Sequence, residues 1–432
     1  MRSVGIFFVL MIIHGIAVKI QAQPHTVKID SLSIDRAIAI ALENHPSLHA
    51  ADASLRSASA GLTQALSNYY PSLSVTATAQ RTDGAFVLNP SFPPRNQSYN
   101  TYTAGLSAQQ TVFDFGRTIE RVSANSSLVD ASEADYHATR DNVVVNVKLA
   151  YFGLAQAKQV YHENEEAVNR AAQHLKQAQA FHSVGKVAQV DVTKAEVDLA
   201  NANVNLIVSR NEYRVAKVQL DNAMGIYVVG DYVIEDSLKV EQFAMPLDSV
   251  MAIAIRQRPE ILAARARVDA NRSLAAAAWY QHLPTVSAFG TWTWSNFDFP
   301  LFSRWNAGLA VSLPLFQGFA ISAQVDQARA ASDVAQANLD VLTQSLMLET
   351  EQNFLGIKEA EERIGAATKL VEQAEENLQL TERQYASGLS SALDVTDAQL
   401  SLSSARITHI QALYDYNSSL VRLKRSAGIL NK

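Results

Sequence analysis

The chain has 432 residues, 48% hydrophobic and 18% charged, which is enough apolar material for a large core and too much for a disordered polymer. A net charge of −6 leaves no basic footprint and argues against nucleic acid as a partner. The absence of cysteine excludes disulfides, Cys-ligated zinc, thiolate nucleophiles and a lipid on an N-terminal cysteine. With only 17 glycines and 11 prolines beside long Ala-, Gln-, Asn- and Ser-rich stretches, long helices are favoured over a loop-rich β fold.

Residues 1–22 have the pattern of a secretory signal: Arg2, an apolar run from Val4 to Val18, and Ala22 before Gln23. The run is shorter than the ~20 residues of a spanning helix. No later stretch is apolar enough to span as a helix, so any membrane crossing falls to strands.

The rest of the chain is written twice. A shift of 203 residues lays Gly185, Asp191, Val192, Thr193 and Ala195 on Gly388, Asp394, Val395, Thr396 and Ala398. The identities continue through Leu199/Leu402, Ala202/Ala405, Tyr213/Tyr416, Leu220/Leu423 and Gly225/Gly428. Earlier, a shift of 213 lays His45-Pro46 on Arg258-Pro259 and Tyr70-Pro71 on Leu283-Pro284. The two copies span about 23–225 and 240–428, too long for solenoid repeats. Each is expected to contain first helices (23–71 and 247–283), two strands with a loop (72–112 and 284–315), and a long helix, tip turn and return helix (113–228 and 316–432). Residues 229–246 link the copies.

Within this frame, 34–70 and 247–282 are expected as Ala-rich helices, ended by Pro71 and Pro284. The segments that follow alternate. Leu73, Val75, Ala77 and Ala79 oppose Ser72, Ser74, Thr76 and Thr78; Tyr102, Ala104, Leu106, Ala108 and Val112 oppose Thr101, Thr103, Ser107, Gln109 and Thr111. In the second copy, Val286, Ala288, Trp292 and Trp294 share one face, as do Trp305, Ala307, Leu309 and Val311. A period of two over ~9–11 residues with aromatics near the ends fits membrane-barrel strands. It also fits a half-buried sheet in a soluble domain.

The helices decide between these. From 117 to 181 there is no proline and a single glycine, with an apolar stripe at Val147, Tyr151, Leu154, Tyr161, Val168, Ala172 and Leu175. Phe354, Ile357, Ile364, Val371 and Leu378 repeat it. Such a helix is ~100 Å long and must form a coiled coil or a helical tube. A soluble coiled-coil scaffold or adaptor would leave the strands and the signal without a purpose. Four strands cannot close a barrel, and open edges are not tolerated in lipid, so several copies must pool their strands.

The two-fold repeat, the segments Gln110-Thr-Val-Phe-Asp-Phe-Gly116 and Ser312-Leu-Pro-Leu-Phe-Gln-Gly318 at strand-to-helix transitions, and the paired Gly-x5-Asp-Val turns resemble the TolC family of outer-membrane efflux proteins. The resemblance covers essentially residues 31–430. It implies a mainly α fold with a membrane β-barrel: long helical hairpins forming a periplasmic tunnel, and four strands per chain in a shared twelve-stranded trimeric barrel. It further implies a homotrimer in the outer membrane of a Gram-negative bacterium, in contact with lipid. Such a trimer docks on a periplasmic adaptor and an inner-membrane pump of resistance-nodulation-division or ABC type. The function implied is a passive exit duct for small molecules, with type I secretion of polypeptides as the alternative.

No enzyme signature is present: G-x-S-x-G, H-E-x-x-H, the P-loop and G-x-G-x-x-G are all missing, and no cofactor is expected. His45, His49 and Asp52 suggest a metal face, but Pro46 disfavours the helical geometry and the second copy has Arg258 and Leu262 there, so no metal site is expected. Attention falls on the turns. Gly185 and Gly388 suit left-handed helix ends. The resemblance makes Val184, Gly185, Lys186, Val187 and Ser387, Gly388, Leu389, Ser390 the tips that meet the adaptor. Asp191, Asp394 and Asp397 follow in the first turns of the return helices, where a carboxylate is favoured and Ser391-x-x-Asp394 resembles a capping box. Asp394 and Asp397 also share a face, and threefold symmetry would stack them as carboxylate rings that attract cations and, being crowded, hold protons more tightly. The resemblance implies that these rings form the entrance constriction and that Tyr385 is a gating tyrosine. Ser390 and Val190 stand where some members carry Arg and Thr, so closure here is expected to rest more on packing.

Overall fold

The computed structural model describes residues 31–86, 95–226, 232–235, 238–241 and 243–430; the expected signal segment lies outside them. The elements are β1 (Ser31–Leu32), α1 (Ile34–Asn44), α2 (Pro46–Leu66), β2 (Ser72–Phe86), β3 (Arg95–Phe113), α3 (Arg117–Ser183), α4 (Gln189–Ala223), β4 (Val233–Ile234), α5 (Leu247–Gln257), α6 (Pro259–Trp279), β5 (Thr285–Asn296), β6 (Phe302–Ser312), α7 (Ala320–Ala386) and α8 (Ala392–Ser426). The expected class is the one observed: mainly helical, with four long strands in two repeats of the same order.

The first helices differ from expectation in being broken. His45 and Arg258 adopt extended backbone, because each precedes a proline that excludes the helical conformation, and Pro46 and Pro259 then open α2 and α6. Each break is packed against the end of the return helix of its own repeat. Gly225 approaches so closely that a Cβ there would lie 2.8 Å from His45 Cα, and one at Gly428 would lie 3.3 Å from the Gln257 carbonyl carbon. This waist holds the largest core, where Val144, Val147, Tyr151, Leu154, Leu220 and Met224 are buried with Leu32 of β1. The Tyr151 hydroxyl donates to the carbonyls of Leu32 (2.9 Å) and Glu235 (3.1 Å), which fastens the parallel β1–β4 pair to α3.

α3 and α7 are 67 residues each, about 100 Å at 1.5 Å per residue. α3 packs on α2 and α6 towards the strands and on α4 and α8 towards the tips, while α7 packs on α6 and then α8. The α3 stripe is correct at the waist but turns beyond it. Ala172 is exposed, and Ala171, His174 and Ala178 are buried instead, because α4 and α8 cover a different face there.

The strands form one antiparallel sheet in the order β2-β3-β5-β6, so β2 and β6 are edges within one chain. The register aligns the apolar sets across it: Val75, Leu106, Trp292 and Trp305 form one rung, and Ala77, Ala104 and Trp294 another. Val112 departs from its expected place. The β3–β5 register skips it, and Phe113 rather than Val112 stands opposite Val286 at this bulge.

Candidate functional site

Two surfaces carry the chemistry. The first is the sheet. Its apolar face is bare: Leu309 is 72% exposed and Trp305 76%, and Trp292 stacks on Trp294 at 5.4 Å. The opposite face is polar, with Ser74 bonded to Ser107 (2.6 Å), Thr291 bonded to Asn306, and Arg304 opposite Thr293. At the base of β3, Asp114 is buried and starts α3 by accepting from the Thr118 N–H (2.9 Å) and the Gly116 N–H (3.3 Å). Phe115 and Gly116 turn the chain through left-handed backbone there, as Gly318 and Phe319 do in the second copy.

The second surface is the pair of tips. Gly185 (φ +74°) and Gly388 (φ +78°) end α3 and α7 in the left-handed region, as expected. The bond patterns match: Gly185 N–H to His182 O (2.9 Å) and Lys186 N–H to Phe181 O (2.9 Å), against Gly388 N–H to Tyr385 O (3.0 Å) and Leu389 N–H to Gln384 O (2.8 Å). Val184, Gly185, Lys186, Ser387, Gly388 and Leu389 are exposed, while Val187 and Ser390 are half-buried. The Ser390 hydroxyl donates to Thr381 O at 3.3 Å, and Lys186 lies 5.2 Å above the Phe181 ring.

The return helices start differently. Ser391 and Asp394 form the full capping box. The Asp394 N–H donates to Ser391 Oγ (3.3 Å), while the Ser391 N–H and hydroxyl both donate to Asp394 Oδ2 (2.8 Å each). At the first tip Ala188 has no hydroxyl, so only its N–H reaches Asp191 Oδ2 (3.2 Å). Within the chain the Ser391 bonds, aided by the positive charge of Lys194, hold Asp394 below the usual carboxylate range. This is opposite to the effect expected from crowding alone, because a hydrogen-bonded carboxylate prefers its charged form. Asp394 and Asp397 are both exposed and one turn apart, and Val190 is exposed as well.

Tyr385 is not at the surface. It is 3% exposed, packed with Ala392 and Val395 and against two rings of the first repeat, His174 (5.4 Å) and Phe181 (5.5 Å). Burial, and then the negative charge of Asp191, push its phenol up. Tyr385 thus ties α7 to α3 through ring contacts at the tip. The sequence reading missed His174, Phe181 and the bond from the Thr396 hydroxyl to Asp198 (2.8 Å), which joins α8 to α4. Only the near-heptad spacing of Ala171, His174 and Ala178 hinted at the first.

The description "Outer membrane efflux protein" fits residues 37–226 and 250–429, both repeats almost entire. The chain belongs to the outer membrane efflux protein family. It is 25% identical over 352 residues to "Outer membrane protein TolC" of Escherichia coli (strain K12), covering 77% of this chain and 70% of that protein. It is 22% identical over 360 residues to "Proteases secretion protein PrtF" of Dickeya chrysanthemi, covering 78% and 74%. Among solved structures, the Campylobacter jejuni CmeC outer membrane channel matches with a TM-score of 0.82 at 21% identity, over 92% of this chain and 86% of that one.

For an outer membrane efflux protein, the bare apolar ladder and the unpaired edges of the sheet are one feature: a lipid-facing wall that other copies complete. Among the described residues no helix is long and apolar enough to cross a membrane. No group of three or more metal-ligating side chains occurs among those residues.

Proposed function

We propose that three copies close one twelve-stranded barrel and a helical tunnel beneath it. Together they form the passive outer-membrane exit duct of a tripartite efflux pump for small molecules. The observation that carries this reading is the sheet, whose two edges are unpaired and whose apolar face is bare in a single chain. The outer helices support it. Val190, Val197 and Val204 on α4, and Val334, Val341, Leu348 and Leu355 on α7, are exposed at seven-residue spacing, the pattern of a seam that another helix covers.

In this reading Asp394 and Asp397 ring the periplasmic entrance, with Asp191, Tyr385, Ser390 and Val190 around it. The tips Val184–Val187 and Ser387–Ser390 receive a periplasmic adaptor, which links the duct to an inner-membrane pump of resistance-nodulation-division or ABC type. No catalytic residue or cofactor enters. The likeness to a protease secretion protein favours a second reading, a type I duct for polypeptides. Neighbouring pump genes would separate the two.

The test is conductance in planar bilayers. The trimer should prefer cations at neutral pH and be blocked by multivalent cations added on the periplasmic side, because carboxylates in a narrow, low-dielectric entrance concentrate their field. The double variant Asp394→Ala, Asp397→Ala should still assemble, yet lose both preference and block. Unchanged selectivity in that variant would leave the two aspartates as helix-start residues only.

A further inference from the structure

His174 sits on α3 about two and a half turns before the tip. It is 4% exposed, and neither ring nitrogen has a hydrogen-bond partner. The Tyr385 hydroxyl beside it is likewise buried and unpartnered. Two polar groups therefore act as apolar filler where rings of α3 and α7 touch near the tip. A neutral imidazole tolerates this, but an imidazolium does not, since a buried charge needs donors matched to acceptors.

The groups facing the ring do not supply them. On α3, Arg170 is held by Glu163 and by Ser403 Oγ (2.8 Å). On α4, Asp191 and Asp198 attract a proton on the ring, but Asp198 already accepts from Thr396 and Asp191 from Ala188. α7 brings Tyr385, Glu382 and Arg383, and α8 brings only the uncharged Val395 and Gln399. Burial outweighs the two aspartates and lowers the affinity of His174 for a proton. Alongside lies a polar groove of about 490 Å³, lined by four glutamines together with Arg170, Glu382 and Arg383, where water and the Glu382 carboxylate can solvate a charged ring.

Resting on the channel reading above, we propose that His174 is a proton-operated latch. Neutral, it stacks on Tyr385 and holds the tip of α7 against α3; protonated, it swings into the glutamine-lined groove and frees that tip to open. The sign follows from linkage. A ring freed into solvent regains its ordinary affinity, near pH 6.5, and binds a proton more tightly than the packed ring. The packed tip is therefore fully favoured above that pH. Below it, opening gains up to about tenfold per pH unit per chain until the packed ring also titrates.

Single-channel recording tests this, with the periplasmic side stepped from pH 7.5 to 5.5. Open probability of the wild type should rise about tenfold or more. His174→Phe keeps the stacking ring and His174→Gln keeps a neutral polar group, so both should be flat across the window. The Asp394→Ala, Asp397→Ala variant should keep the rise, which separates the latch from the carboxylate rings. Heat-resistant trimer confirms that each variant assembles, and either one suffices if the other does not. A flat wild type, or a rise retained in an assembled His174 variant, overturns the latch alone. A wild type that conducts at no pH overturns the channel reading and the latch with it.

Discussion

Four glycines end the long and return helices with nearly the same backbone, and they differ in everything around them. At the tips, Gly185 (φ +74°) and Gly388 (φ +78°) have open space where a Cβ would stand. At the waist, Gly225 (φ +73°) and Gly428 (φ +69°) are pressed onto the helix breaks at His45 and Arg258. The tip positions need glycine only for its left-handed backbone; the waist positions need it also for the missing side chain. Equivalent sequence thus hides two reasons. The waist glycines pack the first helices against the return helices, and the tips are left exposed.

That contrast is most directly broken at Gly225. Gly225→Ala places Cβ 2.8 Å from backbone that cannot swing aside, on top of left-handed strain, and should cost ~2–5 kcal/mol. Thermal denaturation of the assembled protein should show a large drop in Tm. Gly185→Ala should cost only the ~1–2 kcal/mol of a left-handed alanine. Equal losses at the two sites would mean that the waist contact is unimportant.

A milder break replaces both tip glycines by valine. The open surroundings predict that the assembly persists in the membrane, with its stability reduced by the strain of two β-branched residues in left-handed backbone, ~1–2 kcal/mol each. Export should nevertheless stop, because an adaptor docking there needs the close approach of bare backbone. Substrate accumulation in cells carrying the double variant measures this, and normal export would reduce the tips to mere turns.

The smallest effect separates the two tips from each other. Ser391→Ala removes the hydroxyl half of the capping box and should cost ~0.5–2 kcal/mol, while Ala188→Ser should return a similar amount at the first tip. Amide hydrogen exchange in the first turns of α8 and α4 reports each change. Asp394, held below its usual range, keeps the Ser391 cap intact above the free-carboxylate value of ~3.9, and the cap is lost as pH falls through the lowered value. Acid in the range that titrates histidine therefore leaves this cap in place.

Much of the molecule was decided by the sequence alone, and for a local reason. Helical and strand periods, prolines at 71 and 284, and glycines that must turn left-handed act over a few residues of one segment, so the long helices, the strand faces and the tip turns could be read directly, whereas the breaks at His45 and Arg258 and the β1–β4 pair were not. The doubled pattern added the two-fold plan. Tertiary structure decided what depends on segments far apart in the chain. The skip at Val112 depends on where β5 falls, and the crowding at Gly225 on a helix break at His45. The pairing of His174 with Tyr385 unites the two repeats. No period in either repeat encodes that last contact: it exists only because α8, packed on both α3 and α7, brings a ring from each to the same place near the tips.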